Sequence, residues 1–386
     1  MIKIMIGFLL MSVSFSSLAH VEEVVIGQSK TIVSKVLNET RQIMVSLPKD
    51  YEKNDFSYPV LYFSDAQVHF DTMASTVHFL TENNVIPPVI VVGIVSGSTR
   101  TRDLTPNLSE EGQAKKSWYS EQNPGGADKF ITFLGQELIP YISKEYRTAD
   151  FRVLSGHSLG GLFSVYTYFT QPDLFDGYMA VSPSLWWDNE RLVTDAKGLV
   201  KNKKLTHKYL FLSKGDEKGA MESGYKTLVS LFESYNKERT FSKAFPDEDH
   251  LTVVFNAHYY GLKAIFNEWV LPFEEGAKGI EIVKEHNEKV KNTFKVNFTS
   301  EGWLMNLGNS ELYKKDYDNA IEAFEYNTRL FPKNAYSYYL LAKAYEEKKE
   351  FSLALKNYKL ANDLVPETSP YKQDYLDALK KVKGFL

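Results

Sequence analysis

Short apolar runs and amphipathic stretches alternate along the chain from about residue 21 to residue 271. The runs at 24–32, 42–47, 60–63, 89–94, 152–155, 177–181, 209–213 and 240–244 have the length of strands. Several are apolar at nearly every position, as strands covered on both faces are. Stretches with helical spacing lie at 72–82, 127–145, 159–169, 221–237 and 252–270. The early strands follow one another closely, whereas the later ones alternate with helices. That order predicts an α/β fold with a mostly parallel sheet and an antiparallel start.

Beyond Pro272 the strand signals stop and a repeat takes over. Leu307, Gly308, Ala320, Phe324 and Pro332 are echoed 34 residues later by Leu341, Ala342, Ala354, Tyr358 and Pro366. Small residues let paired helices approach, aromatics fill between them, and each proline ends its unit; this is tetratricopeptide spacing. Tyr345 has no aromatic counterpart in the first copy, which carries Glu311 there. The pattern predicts an all-helical region at 274–386, with repeats at about 301–334 and 335–368 and a capping helix at 370–386. The first 19 residues place Lys3 before an apolar stretch and small residues before Ala19, the layout of a cleavable signal peptide. A secreted or periplasmic protein with no stable membrane span is expected, its main domain covering about 20–273.

Composition narrows the chemistry. The 386 residues carry 45 Lys and Arg against 49 Asp and Glu, a formal net charge of −4, so no basic field exists to hold nucleic acid. Cysteine is absent, which excludes a thiolate nucleophile, a zinc–thiolate site and a disulfide framework. No metal-ligand, Walker or dinucleotide-binding pattern is present. Chemistry without cofactor or metal is therefore expected.

The most informative segment is Gly156-His157-Ser158-Leu159-Gly160-Gly161, directly after a strand and before a helix. A nucleophile elbow needs this context: small neighbours permit a sharp turn that lifts the Ser158 hydroxyl off the sheet. The Leu159 N–H, at the helix start, then faces a developing oxyanion. In such folds the acid and the base follow in that order. The strand at 209–213 runs into Asp216 and Glu217, and His250 lies in the loop after the last strand. His250 is the expected base and Glu217 the preferred acid, with Asp216 the main alternative. Glu248, Asp249 or a Ser–His dyad remain further possibilities. His157 is expected to point away from the nucleophile. The second oxyanion donor is expected from Ala66 or Gln67, after the strand at 60–63.

The segments Tyr62–Gln67, 100–106, 156–161 and 182–188, the last reading Ser-Pro-Ser-Leu-Trp-Trp-Asp, together resemble the putative-esterase family of α/β-hydrolases over about residues 24–273. That family includes esterase D, feruloyl esterases, mycolyltransferases and ferric-enterobactin esterases. The resemblance implies Ser158 as nucleophile, His250 as base and an acid near Glu217. Ala66 departs from the Gly often found in its oxyanion loop, and the helical tail is absent from many members. Trp186 or Trp187 is a candidate for lining a substrate pocket. Arg100 and Arg102 could grip an anionic substrate group, or pair with Asp65 and Asp103 to fix a loop.

The leading expectation is an exported serine esterase, acting on a siderophore lactone, an acylated carbohydrate or a small ester. An acyltransferase would use the same groups. The reading from another class is a scaffold that binds a peptide or protein partner through the helical repeats, its hydrolase domain vestigial. The tail is expected either to brace the hydrolase domain or to roof its active site.

Overall fold

The computed structural model describes residues 25–114 and 123–386; the expected signal peptide lies outside them. Eight strands form one sheet: β1 (Gln28–Ser34), β2 (Glu39–Ser46), β3 (Tyr58–Ser64), β4 (Ile90–Ile94), β5 (Thr148–His157), β6 (Gly177–Val181), β7 (Tyr209–Lys214) and β8 (Thr240–Ala244). Their spatial order is β1-β2-β4-β3-β5-β6-β7-β8. β2 runs antiparallel to both β1 and β4, and every pairing from β4 to β8 is parallel. This is the α/β-hydrolase arrangement. β3, β4, β6 and β7 are buried at every position, which is why they read as unbroken apolar runs. The helices Ala66–Glu82 and Val253–Ile265 pack together, while Leu159–Thr170 lies along β5 and β6.

Two elements depart from their expected form for local reasons. The stretch expected as one helix at 127–145 contains a π-turn, Leu134–Leu138, between α-helical segments Ala127–Phe133 and Ile139–Glu145. Pro140 has no N–H and its ring crowds the preceding turn. The chain widens there, and Ile139 N–H reaches back five residues to the Leu134 carbonyl. The helix expected from residue 72 begins six residues earlier, because Asp65 adopts the left-handed conformation (φ 63°) and turns β3 directly into Ala66–Glu82. A further helix, Trp187–Leu199, was not expected from the pattern; its start contains three left-handed residues, Asp188 to Glu190.

The tail is all-helical. Pairs Glu301–Tyr313 with Tyr317–Leu330, and Ala335–Glu347 with Phe351–Leu364, are followed by Lys372–Lys383. Gly308 is required by close approach: a Cβ there would stand 2.4 Å from the Phe324 ring. Phe294, Phe298, Trp303 and Leu304 belong to the same apolar core as the sheet, whereas Phe324, Leu341 and Tyr358 form a separate cluster. Phe298 stacks on Phe56 at 4.9 Å and meets Tyr58, the first residue of β3. Phe294 lies edge-on to Phe151 near the start of β5, and Trp303 packs on Trp269 at 5.3 Å. Asn297 accepts from Ser57 N–H at 2.8 Å. The tail thus seals the N-terminal ends of the central strands. Through these contacts it braces the sheet.

Because Trp303 is buried at this junction, Trp303→Ala removes a large packed ring. It is expected to cost about 3–5 kcal/mol, read by urea or thermal unfolding.

Candidate active site

Parallel strands deliver their following loops to one edge, and that edge gathers Ser158, Glu217 and His250. At the end of β5 the turn is forced by contact. A Cβ on Gly156 would stand 2.3 Å from the Gly160 backbone, one on Gly160 2.3 Å from Ser64 Oγ, and one on Gly161 2.8 Å from the Val181 carbonyl. Ser158 adopts φ 60° and ψ −114°, a conformation that costs a non-glycine residue energy and is fixed here by its surroundings. Its N–H donates to Val181 O at 3.0 Å, and its carbonyl accepts from Ser184 N–H at 3.0 Å.

Ser158 Oγ lies 3.1 Å from His250 Nε2, and His250 Nδ1 lies 2.8 Å from Glu217 Oε1. Burial alone would raise the Glu217 carboxyl. The bond from His250, the Ser182 hydroxyl beside it and its own backbone N–H outweigh that and hold it down to about 2. Glu217 is therefore an ionised acceptor at neutral pH, and the imidazole carries its proton on Nδ1, leaving Nε2 free to accept. Asp216 is exposed, and its backbone N–H donates to Glu248 O at 2.8 Å. Glu248 and Asp249 are also outside the His250 hydrogen bonds. Glu248 binds the Asn256 amide, and Asp249 Oδ1 accepts from Leu251 and Thr252 N–H, fixing the turn that carries His250.

His157 does not point away. Its Nε2 lies 2.7 Å from the His250 carbonyl, to which only an N–H can donate, and its ring packs against that of His250 at 4.7 Å. Burial pushes the His157 imidazole down to about 4. His258 is fully enclosed, 3.1 Å from Ser155 Oγ, and burial pushes it down to about 3.

Two helix N-termini meet at this edge. Leu159 begins the helix after the elbow, and Ala66 and Gln67 begin the helix after β3; N–H groups in a first turn have no intrahelical acceptor. Asp65 supplies the left-handed turn, so Ala66 itself needs no glycine, and its methyl is buried against Gly93. The Gln67 side chain accepts from Ser96 N–H at 3.2 Å.

Arg100 and Arg102 serve different places. Arg100 binds Asp65 Oδ1 at 2.9 Å and the His157 carbonyl at 3.2 Å, joining the Asp65 turn to the elbow. Arg102 is turned to Glu39, at 3.0 and 2.6 Å, and to Asp103 at 2.8 Å, while Arg41 meets Asp103 at 2.8 Å. Both arginines are engaged by carboxylates, the pairing expected of them as the alternative to gripping an anionic substrate group. Trp187 is buried and Trp186 half-buried, their rings 5.9 Å apart, in the segment that follows Ser184. Ser184 was not singled out in the sequence; its Oγ lies 3.2 Å from Ser158 Oγ. The available signal is its place in the loop just past Val181, the last residue of β6, the strand neighbouring that of the nucleophile. Among the described residues no group of three or more acidic or histidine side chains could hold a metal ion.

The chain belongs to the putative-esterase family, whose model matches residues 34–270. It is 33% identical to the ferri-bacillibactin esterase of Bacillus subtilis over 162 residues, covering 39% of this chain and 56% of that protein. It is 32% identical to the siderophore enterobactin esterase of Emericella nidulans over 201 residues, covering 45% of this chain and 64% of that one. The chain thus spans less than two thirds of the length of these curated relatives. Among solved structures, an IroE-like serine hydrolase from Shewanella oneidensis is 26% identical, with TM-score 0.67, covering 78% of this chain and 99% of its own. The enterobactin esterase FES from Shigella flexneri, 18% identical with TM-score 0.51, shares the fold.

The buried histidines set an acid limit on stability. An unfolded His157 accepts a proton near its ordinary value of 6.5, but the folded one accepts only near 4. Between those values the unfolded chain binds more protons, so stability falls as pH drops through this window. His258 extends the loss to about 3. Glu217 adds a further loss as pH falls from its ordinary value toward about 2. His157→Gln, which keeps a donor but cannot titrate, is expected to flatten the dependence of the unfolding midpoint on pH between 6.5 and 4. Urea titrations of both proteins across that range check it.

Proposed function

We propose that this chain is an exported serine esterase that hydrolyses carboxylic esters through an acyl-enzyme, with siderophore lactones as its substrate class. The observation that carries the reading is the hydrogen-bonded line Ser158 Oγ–His250 Nε2–Glu217 at the C-terminal edge of a parallel sheet, at 3.1 and 2.8 Å. Export rests on the signal-like pattern of residues 1–19. The substrate class rests on the relatives named for ferri-bacillibactin and enterobactin.

In this reading Ser158 and His250 act in turn. Ser158 Oγ adds to the ester carbonyl carbon as His250 Nε2 takes its proton, and the carbonyl π pair moves onto oxygen. That oxyanion is received by the Leu159 N–H and by the N–H of Ala66 or Gln67. Collapse expels the alcohol oxygen, which takes the proton from His250. Water then attacks the acyl carbon as His250 removes one of its protons, and Ser158 leaves with that proton. Glu217 holds the imidazole in the required tautomer and stabilises it while charged. Trp186, half-buried in the segment after Ser184, is the candidate wall of the acyl or alcohol site in this reading.

Initial rates on p-nitrophenyl acetate and butyrate test the assignment. Ser158→Ala and His250→Ala are expected to lose at least roughly 10³-fold in kcat, and Glu217→Gln roughly 10²- to 10⁴-fold, whereas Asp216→Asn stays within about twofold. Full rates in Ser158→Ala, with no labelling of wild type by a fluorophosphonate, would refute the esterase reading. A kcat/KM for a tris-catecholate trilactone no higher than for p-nitrophenyl butyrate would remove the siderophore assignment and leave the esterase.

A further inference from the structure

Ser184 is the polar group nearest the nucleophile that the mechanism above does not use. It is buried, its Oγ lies 3.2 Å from Ser158 Oγ, and either oxygen could in principle be the donor. The neighbouring bonds remove the ambiguity. Glu217 is ionised and only accepts, so His250 bears its proton on Nδ1 and presents Nε2 as an acceptor. Nε2 lies 3.1 Å from Ser158 Oγ, and Ser158 has a single hydroxyl proton, which must go to Nε2. Toward Ser184, then, Ser158 Oγ can only accept, and the Ser184 hydroxyl donates.

We propose that Ser184 is a further catalytic residue, a hydroxyl donor to the nucleophilic oxygen. This inference rests on the assignment of Ser158 and His250 made above. Its effect is twofold. Occupying one lone pair of Ser158 Oγ fixes the hydroxyl rotamer with its proton on His250 and leaves the other lone pair for the carbonyl carbon. As the proton passes to His250, negative charge builds on Oγ and the bond from Ser184 strengthens, since hydrogen bonds to charged acceptors exceed those to neutral ones. Ser184 keeps its own proton throughout; Ser158 O–H and the carbonyl π bond break as Oγ–C and His250 Nε2–H form, the π pair passing to the carbonyl oxygen.

The site is built to hold this hydroxyl without depending on it for structure. The Ser184 backbone N–H donates to the Ser158 carbonyl at 3.0 Å, and the Ser184 carbonyl accepts from Trp187 N–H at 3.1 Å. Pro183 packs against Gly161, where a Cβ would stand 2.9 Å from its Cα. Ser182, left-handed at φ 39°, completes the turn, and its hydroxyl accepts from Gly215 N–H at 3.2 Å. Backbone bonds therefore set the position of Ser184, and its side chain is free to serve Oγ.

The test compares wild type, Ser184→Ala and Ser184→Cys, with Ser158→Ala as control. Steady-state hydrolysis of p-nitrophenyl acetate and the second-order rate of fluorophosphonate labelling, which reads attack by Ser158 Oγ directly, are measured on each. Loss of the donor is expected to lower kcat and the labelling rate together by roughly 10- to 100-fold, with KM within about twofold and the melting temperature unchanged. Cysteine is close in size but a weak donor, so it follows alanine and serves in its place if the alanine variant fails to fold. Wild-type labelling rates in the folded variants overturn the proposal, as does a loss confined to KM or to stability. If Ser158→Ala is itself fully active, the esterase assignment fails; if only the Ser184 variants are, the assignment stands without Ser184.

Discussion

Between β5 and the helix that follows it there is no space for a side chain. Gly156 and Gly160 come so close that a single added carbon would overlap the backbone. Everything at the C-terminal edge is arranged around that contact. It tightens the turn, drives Ser158 into a conformation that an L-residue avoids, and leaves its oxygen standing off the sheet. The strain persists because the backbone on both sides is tied to β6 and the loop after it, through Val181 and Ser184. A looser turn would relax Ser158 and lose the alignment with His250 in the same movement.

The loops that meet Ser158 are held by bonds that leave its oxygen untouched. Arg100 links Asp65, at the mouth of β3, to the carbonyl of His157. His157 in turn donates to the carbonyl of His250, and Asp249 caps the turn on which His250 sits. The three loops after β3, β5 and β8 are thereby fastened to one another by main-chain and charged contacts. The imidazole and the hydroxyls keep their own valences for each other. Preorganisation of this kind places donors before charge develops, which is where such sites gain most.

Much of this arrangement is readable from local sequence, because local sequence causes it. The all-apolar β3, β6 and β7 announce a doubly covered sheet, and Gly156, Gly160 and Gly161 around Ser158 announce the turn. What escapes is set by distant partners. Asp216 and Glu217 are neighbours in one loop, and the choice between them is made by Glu248 O holding the Asp216 N–H and by Lys214 Nζ bonding to the Glu217 carbonyl. Arg102 reads as a pair with adjacent Asp103, but its tightest partner is Glu39, on β2. His157 looks like a bystander in its motif until the loop after β8 folds over it. Ser184 lies inside the 182–188 segment, but nothing in that segment marks its hydroxyl; only the parallel pairing of β5 with β6 brings it to Ser158.

The helical tail enters the core through Phe294, Phe298 and Trp303 and then continues as a cluster of its own, away from the strand ends where Ser158 lies. The two ends of the sheet are consequently held by separate sets of contacts, aromatic packing at one and hydrogen bonds around Ser158 at the other. Helices beyond Asn334 rest on the separate cluster that holds Phe324, Leu341 and Tyr358, so their packing is settled among themselves and not by the groups that surround the nucleophile. The first helices lack that independence: they have become part of the hydrolase, and a descendant that sheds them must first refill the space left beneath β3 and β5.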